Sequence, residues 1–190
     1  IDAKKRIFRT LVKTAPQMLA KQDKDEQCIL HFIRDEFVDL AQESLAKEPT
    51  LALIKNKESL FPIHTAILNN QEKITKLLLS MKNVSGLEDG HRQNALHYAA
   101  SYGNKETLKL CIAASSDINK SDNESKTPLI LAVEHNNTDA VKCLLAHHAE
   151  VNIKDAEGQT ALFYAQARNN QPLEDLLSKA GATNSSSLKY

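Results

Sequence analysis

Metal binding and nucleophilic catalysis would fall first to the seven histidines and three cysteines of this 190-residue chain. A helix-borne zinc pair needs ligands four residues apart, so that both leave the same face. His147 and His148 are adjacent and point in different directions. Cys28, Cys111 and Cys143 form no CxxC pair, and Cys111 and Cys143 stand in apolar runs. That is the pattern of buried free thiols in a reducing compartment. No Ser/His/Asp or Cys/His grouping recurs in one place, no phosphate-cradling glycine loop is present, and paired acids fall only on polar faces. The chain is therefore expected not to be an enzyme, with no catalytic residue, no metal and no cofactor. His64 and His97 remain, 33 residues apart in similar surroundings.

That interval is the period of the chain. Phe61, Asn94, Thr127 and Thr160 are spaced by 33 without insertion or deletion, and Asn56, Asp89, Asp122 and Asp155 precede them by five. Ile63, Leu96, Leu129 and Leu162 follow the same spacing, as do Ala66, Ala99, Ala132 and Ala165, and Asn70, Gly103, Asn136 and Asn169. A fixed period of this size marks a solenoid, whose units bury their apolar faces only by stacking. Thr127 and Thr160 stand where a helix N-cap is wanted, with hydroxyls to accept a free backbone N–H, and Asn94 can do the same. Pro62 and Pro128 follow at the first helical position, where a missing N–H costs nothing. The small Ala lets neighbouring helices approach. Gly103 and the three Asn residues sit between two helices, and these types tolerate left-handed backbone.

The segments FPIHTA, NALHYAA, TPLILAV and TALFYAQ, with DINK, EVNIK and KAGAT at the unit ends, resemble ankyrin repeats over about residues 55–185. The resemblance implies an all-α solenoid of helix-turn-helix units joined by short hairpin loops, with repeats at about 55–87, 88–120, 121–153 and 154–185. It implies that His64 and His97 make structural hydrogen bonds between neighbouring loops. It also implies a protein–protein interaction module whose loop tips and first helices line a concave groove. Carried over by register, the partner-binding positions are Leu68 and Asn69; His91, Gln93, Ser101 and Tyr102; Glu124, Lys126, Glu134 and His135; Gln159 and Arg168. Tyr102, His135 and Arg168 share one slot on successive units and are expected in a row. The opposite face, with Lys76, Lys109, Lys142 and Asp175, reads as solvated. The alternative is a regulatory or substrate-recruiting segment of a larger enzyme, or an effector directed at a host cell. One departure is the loop slot usually held by Gly, filled here by Ser59, Arg92, Ser125 and Gly158. A positive φ at Arg92 would be mildly strained, so that hairpin is expected to deviate.

Residues 1–54 precede the clear repeats and read as a helical cap, or as one decayed repeat. Ile7, Phe8, Leu11, Val12, Met18 and Leu19 have helical spacing, with Pro16 expected to interrupt it. Ile29, Ile33, Phe37 and Leu40 form a second stripe, which one continuous helix explains as well as a repeat does. Basic residues dominate from Asp2 to Lys21 and acids from Asp25 to Glu48, so the two segments are expected to pack on each other. A basic membrane-surface helix at Lys4, Lys5, Arg6, Arg9 and Lys13 is the other reading of the first. Residues 186–190 form a short tail.

Composition adds exclusions. The chain is 42% hydrophobic and 25% charged with net charge +0, so nothing global steers it toward nucleic acid or an anionic membrane. No apolar run approaches the ~18–20 residues of a membrane span. No signal peptide is evident, and a chain beginning with Ile is expected to be a processed or excised piece. Another protein is the expected partner, with an intracellular location and a monomeric state. Finally, Leu144 followed by Glu150-Val151-Asn152 resembles the context in which ankyrin Asn residues are β-hydroxylated. Mass spectrometry of chain expressed beside such a hydroxylase tests this, and a wholly unmodified Asn152 contradicts it.

Overall fold

Each 33-residue interval begins with one polar side chain folding the backbone around itself. In the computed structural model, which describes residues 6, 9–10, 12–15 and 18–183, Asp89 Oδ1 accepts the backbone N–H groups of His91 and Gln93, both at 2.8 Å. Asp122 takes those of Glu124 and Lys126, Asp155 those of Glu157 and Gln159, and Asn56 those of Glu58 and Leu60. A backbone bond closes each turn, as from Asp122 N–H to Lys126 C=O at 3.0 Å. Three residues after the Asp or Asn, φ is positive: 61° at Ser59, 60° at Arg92, 59° at Ser125 and 78° at Gly158. Arg92 thus adopts the left-handed backbone in a regular hairpin, correcting the expected deviation. Two bonds to one carboxylate oxygen offset the strain of a side chain there. Asp23 makes the same turn, accepting from Asp25 and Gln27 at 2.9 Å, with φ 58° at Glu26.

Among the described residues every regular element is helical. The α-helices are α1 (Ile29–Phe32), α2 (Val38–Lys47), α3 (Pro62–Leu68), α4 (Glu72–Leu79), α5 (Ala95–Tyr102), α6 (Lys105–Ala114), α7 (Pro128–Glu134), α8 (Thr138–Ala146), α9 (Ala161–Ala167) and α10 (Gln171–Lys179). One layer stacks α1, α3, α5, α7 and α9, and the other α2, α4, α6, α8 and α10. Between the layers lie Ile63, Leu96, Leu129 and Leu162, and the recurring Ala66, Ala99, Ala132 and Ala165, all buried. Leu78, Cys111, Leu144 and Leu177 share one buried slot of the second layer. Cys28 is buried as well, but Cys143 is only half-buried, so the expectation of a buried thiol fails there.

Capping follows residue type closely. Thr127 Oγ1 accepts from Ile130 N–H, and Asn94 Oδ1 from Leu96 and His97 N–H. Thr160 makes no such bond and its buried hydroxyl has no partner among the described residues, contrary to expectation. Phe61 has no polar atom to cap with. Its own N–H instead donates to His64 Nδ1 at 3.2 Å, half of a capping box. Asn137 and Asn170 cap α8 and α10. For α4 the cap comes from an earlier unit: Asp35 Oδ1 accepts Ile74 N–H at 2.9 Å, while Asp35 N–H donates to Gln71 Oε1. Asn70, Asn136 and Asn169 take φ of 54°, 55° and 52° between helices. Gly103 does not: its φ is −74°, and it is needed because a Cβ there would lie 2.7 Å from Ala99 O.

The stripe from Ile29 to Leu40 is not one helix. α1 stops at Phe32, Ile33 and Arg34 are extended, and a 3-10 turn at Asp35–Phe37 leads into α2. Ile33 occupies the slot that holds Ala in later units, where a branched side chain cannot approach as closely. The opposite charges of the two N-terminal segments do meet: Arg9 bonds Asp39 at 2.9 Å and lies 3.5 Å from Glu43. Lys47 Nζ donates to Val12 C=O. The expectations for Lys4, Lys5, Ile7, Phe8, Leu11, Pro16 and the tail concern residues outside the described set.

Ala132 is fully buried where α7 meets its neighbours. Ala132→Leu is expected to overpack that contact by roughly 1–3 kcal/mol. Thermal unfolding reads the effect, and an unchanged midpoint contradicts the assigned packing.

Candidate functional site

The C-terminal ends of the first-layer helices carry the slot shared by Asn69, Tyr102, His135 and Arg168. Tyr102 closes α5 and is 55% exposed. His135, at the end of α7, meets it edge-on with ring centroids 4.8 Å apart and Nε2 3.1 Å from the phenol oxygen. His135 Nδ1 lies 3.0 Å from Leu131 C=O, which can only accept, so the ring proton sits on Nδ1. Nε2 of the neutral ring is bare, and Tyr102 O–H donates to it. Arg168 follows in the same slot, exposed, its side chain making no hydrogen bond or ion pair among the described residues. Behind the row runs a path of rings: Tyr102 tilts toward Tyr98 at 6.3 Å, and Tyr98 stacks on His64 at 4.7 Å.

The remaining sequence-derived positions divide by accessibility. Leu68 is 43% exposed, and Asn69 and His91 are exposed. Lys126, Glu124 and Glu134 form one cluster, with Lys126 Nζ 3.1 Å from each carboxylate and 5.5 Å above the Tyr164 ring. Burial opposes the Lys126 charge, but the bonds to Glu134 and Glu124 outweigh it and raise its pKa. Gln93 turns along the stack, donating to Asp122 Oδ2 at 2.8 Å. Gln159 is half-buried beside its hairpin, and Ser101 is buried. Gln93 and Ser101 therefore serve the scaffold rather than present a side chain outward. Tyr98 and Tyr164 likewise donate inward, to Asp89 Oδ2 and Asp155 Oδ2. Burial first, then the carboxylate, pushes both phenols up, so they stay neutral.

At the Asn69 end of the row lies a cavity of about 440 Å³ lined by His31, Phe32, Ile33, Arg34, Asn69 and Gln71. It exists because α1 lacks its second turn. Phe32 is 55% exposed at its edge. Phe32 and Arg34 carry no signal in the 33-residue register, since the interval before Asn56 departs from it at Ile33; that residue in an Ala slot is the one hint.

Other chemistry-bearing groups prove local. Cys143 and His147 stand four apart, with Sγ 3.9 Å from Nδ1, but that nitrogen is 2.8 Å from Cys143 C=O. Among the described residues, no three of His, Cys, Asp and Glu converge as metal ligands would. Asn152 is exposed and reaches the next turn, accepting from Thr183 N–H at 2.9 Å and donating to Gly181 C=O at 3.0 Å. No helix of the described residues is long and apolar enough to cross a membrane.

His64 ties loop to loop as expected: Nδ1 accepts Phe61 N–H, so Nε2–H donates to Leu87 C=O at 3.2 Å. His31 repeats this with Cys28 N–H and Leu60 C=O. His97 Nδ1 accepts Asn94 N–H, and the ring also faces backbone groups of Lys120 and Lys126 in the next unit, although Nε2 closes no hydrogen bond of ordinary geometry there. Burial lowers the His64 pKa from 6.5 to about 4. The unfolded chain then binds more protons than the folded one between those values. The contribution of neutral His64 is therefore complete above pH 6.5 and lost as pH falls through about 4. The loss is on the order of 3 kcal/mol. His64→Gln is expected to flatten the acid slope of stability measured by denaturant unfolding; an unaltered slope contradicts this.

Comparison with curated proteins finds no match. A family model described as ankyrin repeats, in three copies, matches residues 18–122 and again 96–186. Such repeats act generally as protein–protein interaction modules. With hairpins, helix pairs and loop-tying histidines in register, and the family matched across most of its length, the chain belongs to the ankyrin-repeat family.

Proposed function

We propose that this chain recognises a partner protein through the concave face formed by its hairpins and first-layer helices, acting as a monomer in the cytoplasm. The observation that carries it is the exposed, well-supported Tyr102, joined to His135, with Leu68 exposed on the preceding unit and Arg168 exposed in the same slot two units on. A large side chain held by a ring neighbour loses little freedom on binding, which suits a binding hot spot. The Asp23 hairpin, the His31 bonds and the stacking of α1 and α2 support including residues 23–54 as one more repeat, shortened in its first helix. The groove then runs from Phe32 to Arg168.

Tyr102→Ala and Arg168→Ala are each expected to weaken partner binding by about 1–2 kcal/mol. Their melting curves should match the unaltered chain, because both side chains lie outside the stack. Titration calorimetry with a captured partner reads the affinity. Unchanged binding in both variants, with loss on altering Asp35, Glu36 and Asp39, would move the site to the N-terminal segment.

A further inference from the structure

Internal pairing decides which groove charges are left for a partner. Lys126 is spent on Glu124 and Glu134. The Asp89, Asp122 and Asp155 carboxylates are spent on hairpin N–H groups and on Tyr98, Gln93 and Tyr164. In the slot of Tyr102, His135 touches the phenol one unit on, and Arg168, a unit further, keeps an exposed charge with no ion pair among the described residues. The neutral Tyr102–His135 pair is closed, because its one hydroxyl proton is committed to Nε2. Protonating His135 reverses that bond. Nε2–H then donates to the phenol oxygen, and Tyr102 O–H becomes a free donor beside a cation.

We propose, building on the groove assignment above, that Tyr102, His135 and Arg168 form a subsite for an Asp or Glu side chain of an acidic partner segment, and that filling it is coupled to proton uptake by His135. The carboxylate receives Tyr102 O–H and the Arg168 guanidinium, and the imidazolium stands behind the phenol. The proton comes from solvent and no covalent bond changes. Charge-assisted bonds of this kind are stronger than neutral ones, and histidine is the side chain suited to switching near neutral pH. The charged and titratable groups on the elements packed against α7 are consistent with this. α5 supplies Tyr102, α7 the adjacent Glu134 already held by Lys126, α9 the Arg168 slot, and α8 carries Asp139 in its first turn.

The test is selection of twelve-residue peptides from a random display library against the whole chain at pH 6, followed by affinities of the enriched peptides at pH 6 and 7.5. The enriched peptides are expected to contain Asp or Glu, and replacing that residue by Asn or Gln should weaken binding about tenfold. Binding should be several-fold tighter at pH 6. His135→Gln should abolish that ratio, and Tyr102→Phe, which removes only the hydroxyl, should reduce it; both side chains are exposed, and melting curves confirm folding. Peptides that bind at Tyr102 without needing a carboxylate, or equally at both pH values, overturn the subsite while leaving the groove. Peptides indifferent to Tyr102, His135 and Arg168 but lost on charge reversal at Lys76, Lys109 and Lys142 overturn the groove as well. Failure to enrich any peptide counts against both.

Discussion

Everything in this molecule hangs on one oxygen atom per unit. The Oδ1 of Asn56, Asp89, Asp122 or Asp155 gathers two backbone N–H groups two and four residues on. The turn this creates aims the next residues into a helix N-terminus and brings successive hairpins side by side. Asn123 N–H then reaches His91 C=O at 3.0 Å, and Ala156 N–H reaches Glu124 C=O at 2.9 Å. A buried acceptor with two donors is expensive to leave unpaired and modest in net value when paired. Its importance is therefore geometric: it fixes where each first helix begins.

From that start the rest follows by neighbour contact alone. Helices of four to ten residues are too short to be stable in water by themselves, and each gains its stability from the units on either side. The aromatic path from His64 through Tyr98 to Tyr102 belongs to this economy of contacts. It supports the groove from behind, so that an exposed phenol is held rather than free. The same stacking produces the cavity at Phe32, where a shortened helix leaves one unit without the surface its neighbour expects.

Much of this was legible in the residues. The Ala and Leu slots recur because two layers must touch at fixed points, and the hairpin Asp recurs because one turn must form each time. Tyr102 and His135 could be placed together from their spacing alone, and they do touch. Legibility failed where one residue's size or bonding overrides its slot. Ser101 is buried, whereas Leu68 and Ala167 in the same slot are exposed and Glu134 is half-buried. Gly103 is required by contact with Ala99 rather than by a positive φ. Thr160 has the right type for a cap and makes no bond. The break at Ile33 depends on Gln71 and Ile74, which lie a full unit away and are not visible in a local pattern.

The most direct measurement compares Asp122→Asn with Asp122→Ala by hydrogen exchange at the Glu124 and Lys126 amides, alongside denaturant unfolding. Asn keeps the acceptor that Asn56 already supplies elsewhere, so it should retain slow exchange and most of the stability. Ala removes it, and should speed exchange at both amides and cost about 1–3 kcal/mol. Slow exchange and unchanged stability in Asp122→Ala would contradict the claim that this oxygen organises the stack.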